Sequence, residues 1–333
     1  HIMQETAQKL LKQGKGILAA DESTSTADKR LSAVGVEPTE ENRRRYRELL
    51  LTTPGVEEYL SGVILYDETL RQQTSDGTPF PELLASKEIL TGIKVDEGLE
   101  DFEGGQVTKG LDGLESRLNE YKQFGAVFTK WRAVMPVGPG RSAAALKESA
   151  KRMAAYAKEV QEFHMVPIVE PEVLMNGEHT AEDAESTIIE TVAHVFDALA
   201  AEGVYLPGTI LKTSMAVSGI DASARALPPE VAERTVRALE TAVPKETGGV
   251  VFLSGGQSPE EAAANLNAIA RMEPLPWPIT FSFARALQAP ALEEWRGLDD
   301  NTDEAQAIFL KRITLAIAAD AGGYSESMEN TAL

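Results

Sequence analysis

Nine charged or hydroxyl side chains stand at or close to the ends of short apolar runs: Asp21, Lys94, Lys130, Arg132, Glu170, Glu172, Lys212, Ser254 and Arg285. Gathered in one place they would form a chemically usable set. The carboxylates offer proton donors and acceptors, and the lysines, arginines and Ser254 offer charge and hydrogen bonds to an anion. A lysine desolvated among other cations loses its proton more readily than one in water. Lys130 and Arg132 lie two residues apart, as do Glu170 and Glu172, so on a strand each pair shares one face.

The elements that must position these residues recur along the chain. Apolar runs cover 16–21, 63–68, 90–96, 126–134, 165–172, 209–215, 249–254 and 278–285, each rich in Val, Ile, Leu or Phe. Turn residues and a longer stretch of helical periodicity follow each run, which is the alternation of βα units. Eight such units predict a single (β/α)8 TIM barrel of the α/β class, whose chemistry gathers at the C-terminal ends of the strands. Helical spacing marks 39–51, 142–163, 181–201 and 229–242, and Ser258-Pro259-Glu260-Glu261 reads as a helix start directly after the seventh run. Residues 73–81 and 98–113 read as loops.

With 333 residues and no linker-like segment, the whole chain reads as one catalytic domain, 1–333. His1-Ile2-Met3 reads as a cloning scar, and 324–333 as a mobile polar tail. The apolar fraction of 43% and charged fraction of 25% are those of a globular protein. No run approaches the ~18 apolar residues of a membrane span. There is no cysteine, which removes disulfides, thiolate metal sites and thiol nucleophiles from consideration. A net charge of −20 disfavours nucleic acid and anionic membranes as partners. Against that background, cations gathered at strand ends point to a small anionic ligand, whereas the surface charge itself reads as solubility.

The residues also resemble a known family. Gly14-Lys15-Gly16-Ile17-Leu18-Ala19-Ala20-Asp21-Glu22-Ser23-Thr24 is similar to the N-terminal signature of class I, Schiff-base fructose-1,6-bisphosphate aldolases. So are Gly92-Ile93-Lys94-Val95-Asp96, Lys130-Trp131-Arg132, Pro167-Ile168-Val169-Glu170-Pro171-Glu172, Leu211-Lys212, and Phe252-Leu253-Ser254-Gly255-Gly256-Gln257-Ser258. The last block is Thr280-Phe281-Ser282 with Arg285-Ala286-Leu287-Gln288. The resemblance implies a lyase of glycolysis and gluconeogenesis, or of the Calvin cycle in a photosynthetic source. It would cleave fructose 1,6-bisphosphate, and also sedoheptulose 1,7-bisphosphate, with no metal and no cofactor. Lys212 would form the iminium, Glu170 would serve as acid and base, Asp21 would join the proton transfer from the C4 hydroxyl, and Lys130 and Glu172 would tune the site. Ser254, Gly255, Gly256, Ala284 and Arg285 would take the C1 phosphate; Ser23, Lys94, Thr26 and Arg30 would take the C6 phosphate, with Arg132 beside them. The family further implies a homo-oligomer, a tetramer, in the cytoplasm, or in the plastid stroma if a transit peptide has been removed.

Taken singly, these residues have blander readings. A lysine at a strand end is commonly solvated, Gly255-Gly256 fits an ordinary turn, Trp131 fits packing, and Asp21 before Glu22-Ser23 fits a helix cap. Ordered together at eight strand ends, they favour the site. Two positions depart from the family pattern. Many relatives have Gly where this chain has Ala284, so a positive φ or close phosphate approach there would make the Cβ costly. Animal relatives end in a tyrosine that assists enamine protonation, and Tyr324 is too far upstream to replace it. A zinc-dependent aldolase would need histidine ligands, and His164, His179 and His194, besides His1, show no ligand-pair spacing. Transaldolase and deoxyribose-phosphate aldolase share the lysine chemistry, but two phosphate sites favour a bisphosphate. A non-catalytic interaction protein on the same scaffold is the alternative of a different class.

Overall fold

The computed structural model describes residues 1–331. Eight parallel strands close into a barrel: β1 (Gly16–Ala20), β2 (Leu60–Leu65), β3 (Leu90–Lys94), β4 (Ala126–Met135), β5 (Val166–Val173), β6 (Ile210–Thr213), β7 (Gly249–Phe252) and β8 (Ile279–Phe283). They pair in sequence order, and β1 closes on β8 through Ile17 opposite Ser282. Helices separate the strands and form the outer ring, so the fold is the expected TIM barrel. The expected helices at 39–51, 142–163, 181–201 and 229–242 appear as Glu40–Leu51, Ala143–Glu162, Ala181–Ala201 and Pro228–Ala242. Their starts follow from their caps: Thr39, Ser142 and Thr180 each accept a backbone N–H, and Thr180 with Asp183 completes a capping box. Ser258 caps Pro259–Ala270, as its spacing predicts.

Inside the barrel, alternation along the strands separates two zones. Towards the N-terminal ends, Ile17, Ala19, Ile64, Phe128, Val166, Ile168, Ile210 and Val251 form one apolar cluster. The same periodicity carries the chain onward to Asp21, Lys130, Glu170 and Lys212, one or more steps of two residues nearer the C-terminal ends. Phe128 fills the barrel because its neighbours are small: a Cβ on Gly92 would come within 2.3 Å of its ring. Met3, Ala7, Leu10 and Leu11 join this cluster from the helix Ile2–Leu10, which closes the bottom of the barrel.

Several segments differ from the sequence reading. β2 begins at Leu60 rather than Val63 and stops at Leu65, because Asp67–Leu70 turns into a short helix. Ser61 and Gly62 break the apolar run but are buried, with the Ser61 hydroxyl donating to the Leu10 carbonyl at 2.8 Å. Residues expected as a loop after β3 contain an antiparallel hairpin, Leu99–Phe102 with Gly105–Thr108. Its two-residue turn places Glu103 at φ 43° and Gly104 at φ 85°, the twist that hairpins favour. Its exposed polar strand carries no apolar alternation that could have revealed it. The segment 73–81 is a turn only up to Pro79, since a helix runs from Phe80 to Ser86.

Both chain ends carry packing. His1 caps the first helix by accepting the Met3 N–H at 3.2 Å, and Met3 is buried. In the segment expected as a tail, Glu326–Asn330 forms a 3-10 turn in which Glu329 accepts the Tyr324 hydroxyl at 2.6 Å and pairs with Arg312. Residues 332–333 lie outside the described residues.

The packing generates a stability prediction. Leu10→Ala should cost about 2–5 kcal/mol, the range for emptying a buried leucine site. Urea denaturation reads it directly; a loss well under ~1 kcal/mol would mean that the N-terminal helix lies against the barrel without helping to hold it closed.

Candidate active site

A cavity of about 940 Å3 opens at the C-terminal ends of the strands. Asp21, Lys94, Lys130, Arg132, Glu170, Glu172, Lys212, Ser254 and Arg285 all line it, as do Ser23, Thr26, Arg30, Gly255 and Ala284. Gly256 is the exception among the expected residues. Its missing side chain would point at the Met175 sulfur, 3.2 Å away, so it packs away from the cavity lining. None of His164, His179 or His194 lines the cavity, and the described residues contain no group of three metal-ligating side chains.

At the centre stand four buried charged groups. Lys130 Nζ lies 2.7 Å from Asp21 Oδ2 and 3.3 Å from Glu170 Oε1. Lys212 Nζ lies 4.0 Å from Glu170 Oε2. Strand register produces this grouping, because β4 and β5 pair Lys130 with Ile168 and Arg132 with Glu170. Burial tends to raise the Asp21 carboxyl, but Lys130, Lys212 and Lys94 outweigh it and bring the pKa down to about 2. For Lys130, burial works downward, and Asp21, Glu170 and Asp96 overcome it and hold the ammonium well above its ordinary range. Lys212 goes the other way. Desolvation dominates; Glu170 opposes it, the charge of Lys130 adds to it, and the net pKa falls below the ordinary lysine value. The two lysines therefore have different states, one fixed as a cation and the other eased towards the free amine.

Around this centre most of the remaining charges are paired. Arg132 Nε donates to Glu172 Oε1 at 2.7 Å, and the Glu172 charge also reaches Lys212 and Arg285, opposing the fall in pKa of each. Lys94 pairs with Asp96, which also accepts the Arg132 backbone N–H at 3.0 Å. Asp96, at the end of an apolar run, takes its place in the site through these two contacts. Trp131 is fully buried and stacks on Tyr156 with 5.2 Å between ring centroids, which is packing. Asp21 does not cap a helix: the cap of Thr24–Ala33 is Ser23, whose hydroxyl accepts the Thr26 N–H at 3.5 Å.

Two helix starts face the cavity and favour anions. One is the Ser23-capped start of Thr24–Ala33 beside Thr26. The other is Arg285–Trp295, whose cap residue Ala284 offers no side chain, leaving the first-turn N–H groups free of a side-chain partner. The helix after β7 starts at the Ser258 cap, as its spacing predicts, and the Ser254-Gly255 segment before it lines the cavity. Ala284 has φ −106°, so its Cβ carries no left-handed strain. Gly255 does, at φ +58°, where glycine is needed. Arg285 donates to the Gly255 carbonyl at 3.1 Å, and burial, then the charge of Arg30, pulls its pKa below the ordinary value.

Residues absent from the sequence reading also line the cavity. Ser282 presents a buried hydroxyl without a partner on the inward face of β8. Glu22 bonds to Arg30 and Gln288. Alternation along β8, Thr280-Phe281-Ser282-Phe283, could have marked Ser282, but nothing local in the sequence marks Glu22.

A parallel eight-stranded barrel holding a desolvated lysine beside a carboxylate, under two anion-receptive helix starts, defines a lysine-centred barrel enzyme for a phosphorylated ligand. Comparison with known proteins agrees. The family model described as fructose-bisphosphate aldolase class-I matches residues 2–333. A probable class 1 fructose-bisphosphate aldolase of Xanthomonas campestris pv. campestris is 49% identical over 313 residues, covering 92% of this chain and 94% of that protein. Fructose-bisphosphate aldolase 6, cytosolic, of Arabidopsis thaliana is 48% identical over 316 residues, covering 93% and 88%. The structure of the Plasmodium falciparum fructose-bisphosphate aldolase in complex with TRAP and a small-molecule inhibitor superposes with a TM-score of 0.95 at 43% identity, covering 97% of this chain and 95% of that one. The chain belongs to the class I fructose-bisphosphate aldolase family.

The charge arrangement has a pH signature. A carboxyl with a folded pKa of about 2 stabilises the fold above its unfolded value of about 3.9. That contribution is lost as pH falls from ~4 through ~2. Asp21→Asn should therefore flatten the fall in stability across this window, measured by denaturant titration at stepped pH; an unchanged slope would show that Asp21 does not carry the linkage.

Proposed function

We propose that this protein catalyses the reversible cleavage of fructose 1,6-bisphosphate to dihydroxyacetone phosphate and glyceraldehyde 3-phosphate through an iminium on Lys212. The observation that carries the reading is the opposed state of the two buried lysines around Glu170. A free amine at Lys212 adds to the substrate C2 carbonyl. Glu170, within 4.0 Å of Lys212 Nζ, serves as the acid and base that removes the carbinolamine oxygen as water. The iminium draws the electrons of the breaking C3–C4 bond into an enamine while the C4 hydroxyl loses its proton. Asp21 is placed for that transfer on the β1 side, with Lys130 bridging it to Glu170. Glu172, paired to Arg132, adds to the tuning, its charge opposing the fall of the Lys212 pKa.

The phosphates divide between the ends of the cavity. The C1 phosphate falls to Ser254, Gly255, the N–H groups following Ala284, and Arg285. The C6 phosphate falls to Ser23, Thr26 and Lys94, with Arg30 at their margin. Sedoheptulose 1,7-bisphosphate fits the same chemistry, because its extra carbon lies on the aldehyde side of the bond broken. The reaction would serve glycolysis and gluconeogenesis, or carbon fixation in the Calvin cycle. A cytoplasmic setting follows the cytosolic Arabidopsis relatives, and a homotetramer follows the family. Retention of Lys212, Glu170, Asp21 and Arg285 in one cavity favours catalysis over a retired, interaction-only scaffold.

Borohydride reduction with dihydroxyacetone phosphate in the presence of EDTA should place a stable adduct on Lys212, read by peptide mass mapping, with activity lost. Lys212→Met should abolish turnover, while Glu170→Gln should slow iminium formation by about 10²–10⁴-fold, the usual worth of a positioned acid–base group. Turnover that survives Lys212→Met would refute the mechanism.

A further inference from the structure

Arg30 lines the cavity, yet its guanidinium is already engaged. Arg30 Nη1 donates to Glu22 Oε2 at 3.1 Å, and the Glu22 side chain is only 7% exposed. One corner of the guanidinium is thus held by a carboxylate rather than offered to a ligand. Glu22 also has a second basic neighbour deeper in the protein. Arg47, buried in the helix Glu40–Leu51, donates through Nη2 to the Glu22 backbone carbonyl at 2.9 Å and lies 3.5 Å from Glu22 Oε1. Glu22 Oε1 and Arg47 Nε are both buried without a hydrogen-bond partner. Gln288 adds a third hold. Its Nε2 donates to Glu22 Oε2 at 3.1 Å and to the Ala19 carbonyl at 2.7 Å, and its own carbonyl accepts the Tyr46 hydroxyl at 2.8 Å.

From this geometry we infer that Glu22 is a resident counter-anion for Arg30, which the substrate phosphate displaces, and that Arg47 and Gln288 retain the displaced carboxylate. The inference rests on the sugar-bisphosphate reading of the cavity and assigns a role that the reading leaves open. Without ligand, Arg30 and Arg285 face one cavity with like charge, and the charge of Arg30 pulls Arg285 below its ordinary value. Glu22 neutralises one of the two. When a phosphate arrives, it takes over Arg30, and Glu22 turns towards Arg47, where an unfilled acceptor and an unfilled donor can join in a second, charge-assisted bond. The exchange leaves the number of ion pairs unchanged, so the buried carboxylate is never stranded. Binding is thereby weakened, because every phosphate must compete with Glu22, and product phosphate is released more readily for the same reason. Glu22 acts through Arg30 and is a positioning residue.

The test is titration calorimetry with inorganic phosphate at low ionic strength on wild type, Glu22→Gln, Arg30→Ala and the double variant. Removing the competing charge should tighten the Arg30-dependent phosphate site by about fivefold, the worth of one partly exposed ion pair, and the double variant should bind like Arg30→Ala alone. In steady-state kinetics, Glu22→Gln should lower KM for fructose 1,6-bisphosphate without raising kcat. Because Glu22→Gln leaves Arg47 without its anion, a wild-type crystal structure with inorganic phosphate supplies a second reading: Arg30 should bind phosphate with the Arg30–Glu22 bond broken and Glu22 paired to Arg47. An intact Arg30–Glu22 bond in that complex, or weaker phosphate binding in Glu22→Gln whether or not Arg30 is present, would overturn the exchange and leave Glu22 a structural brace. Phosphate binding that Arg30→Ala does not alter would instead remove Arg30 from the phosphate-binding assignment on which the exchange rests.

Discussion

Lys130 shared between Asp21 and Glu170 is the interaction on which the site depends. The end of β1 and the strands β4 and β5 contribute one charge each to the floor of the cavity, where the three side chains are buried and an unpaired charge would be very costly. Removing Lys130 would take the shared cation from both carboxylates, so the identities of all three are coupled. Their sum is one negative charge if all three are ionised, and the neighbouring Lys212 feels both signs at once. Desolvation tips that balance towards the free amine. A lysine alone in an apolar pocket would also lose its proton, but it would lack the carboxylate beside it that the chemistry needs.

This cluster can exist only because the barrel keeps its apolar and polar zones apart. Inward positions follow one another every second residue along each strand, so Ile168 is succeeded by Glu170, Ile210 by Lys212, and Phe128 by Lys130. The lower positions pack against the N-terminal helix in a dry cluster, and the upper ones open into the cavity. The closed bottom excludes water from beneath the charges, which strengthens every pairing above it. Small residues are part of the same constraint. Gly62 and Gly92 leave the space that Phe128 occupies, and a side chain at either would push the aromatic ring towards the charged layer.

Charge is managed on two scales. The chain as a whole is strongly acidic, with a net charge of −20, while its cavity holds lysines and arginines that would repel one another if left bare. Most have an internal carboxylate: Arg132 has Glu172, Lys94 has Asp96, Lys130 has Asp21 and Glu170, and Arg30 has Glu22. Arg285 is the contrast, bonded among the described residues to the Gly255 carbonyl alone. The cavity therefore presents an uneven set of cations to an anionic ligand, some already satisfied and one ready.

Much of this was legible in the sequence. Strand and helix periodicity, the Thr39, Ser142, Thr180 and Ser258 caps, and the polar ends of the apolar runs are all short-range signals, determined by neighbours within a few residues. They located the eight-stranded barrel and the nine charged or hydroxyl residues that its strand ends bring to the cavity. The sequence was silent where the signal is long-range or local polarity hides it. The hairpin after β3 is polar on its exposed strand, and β2 begins with a serine and a glycine that read as a break. Which acid meets which base was decided only by tertiary structure, since Lys130 reaches Asp21 across 109 positions through strand register rather than spacing. The same holds for Ala284 as the uncapped helix start and for Glu22 between Arg30 and Arg47. Residue types and their faces are properties of the local chain; the pairing of buried charges depends on how separate strands and helices are brought together.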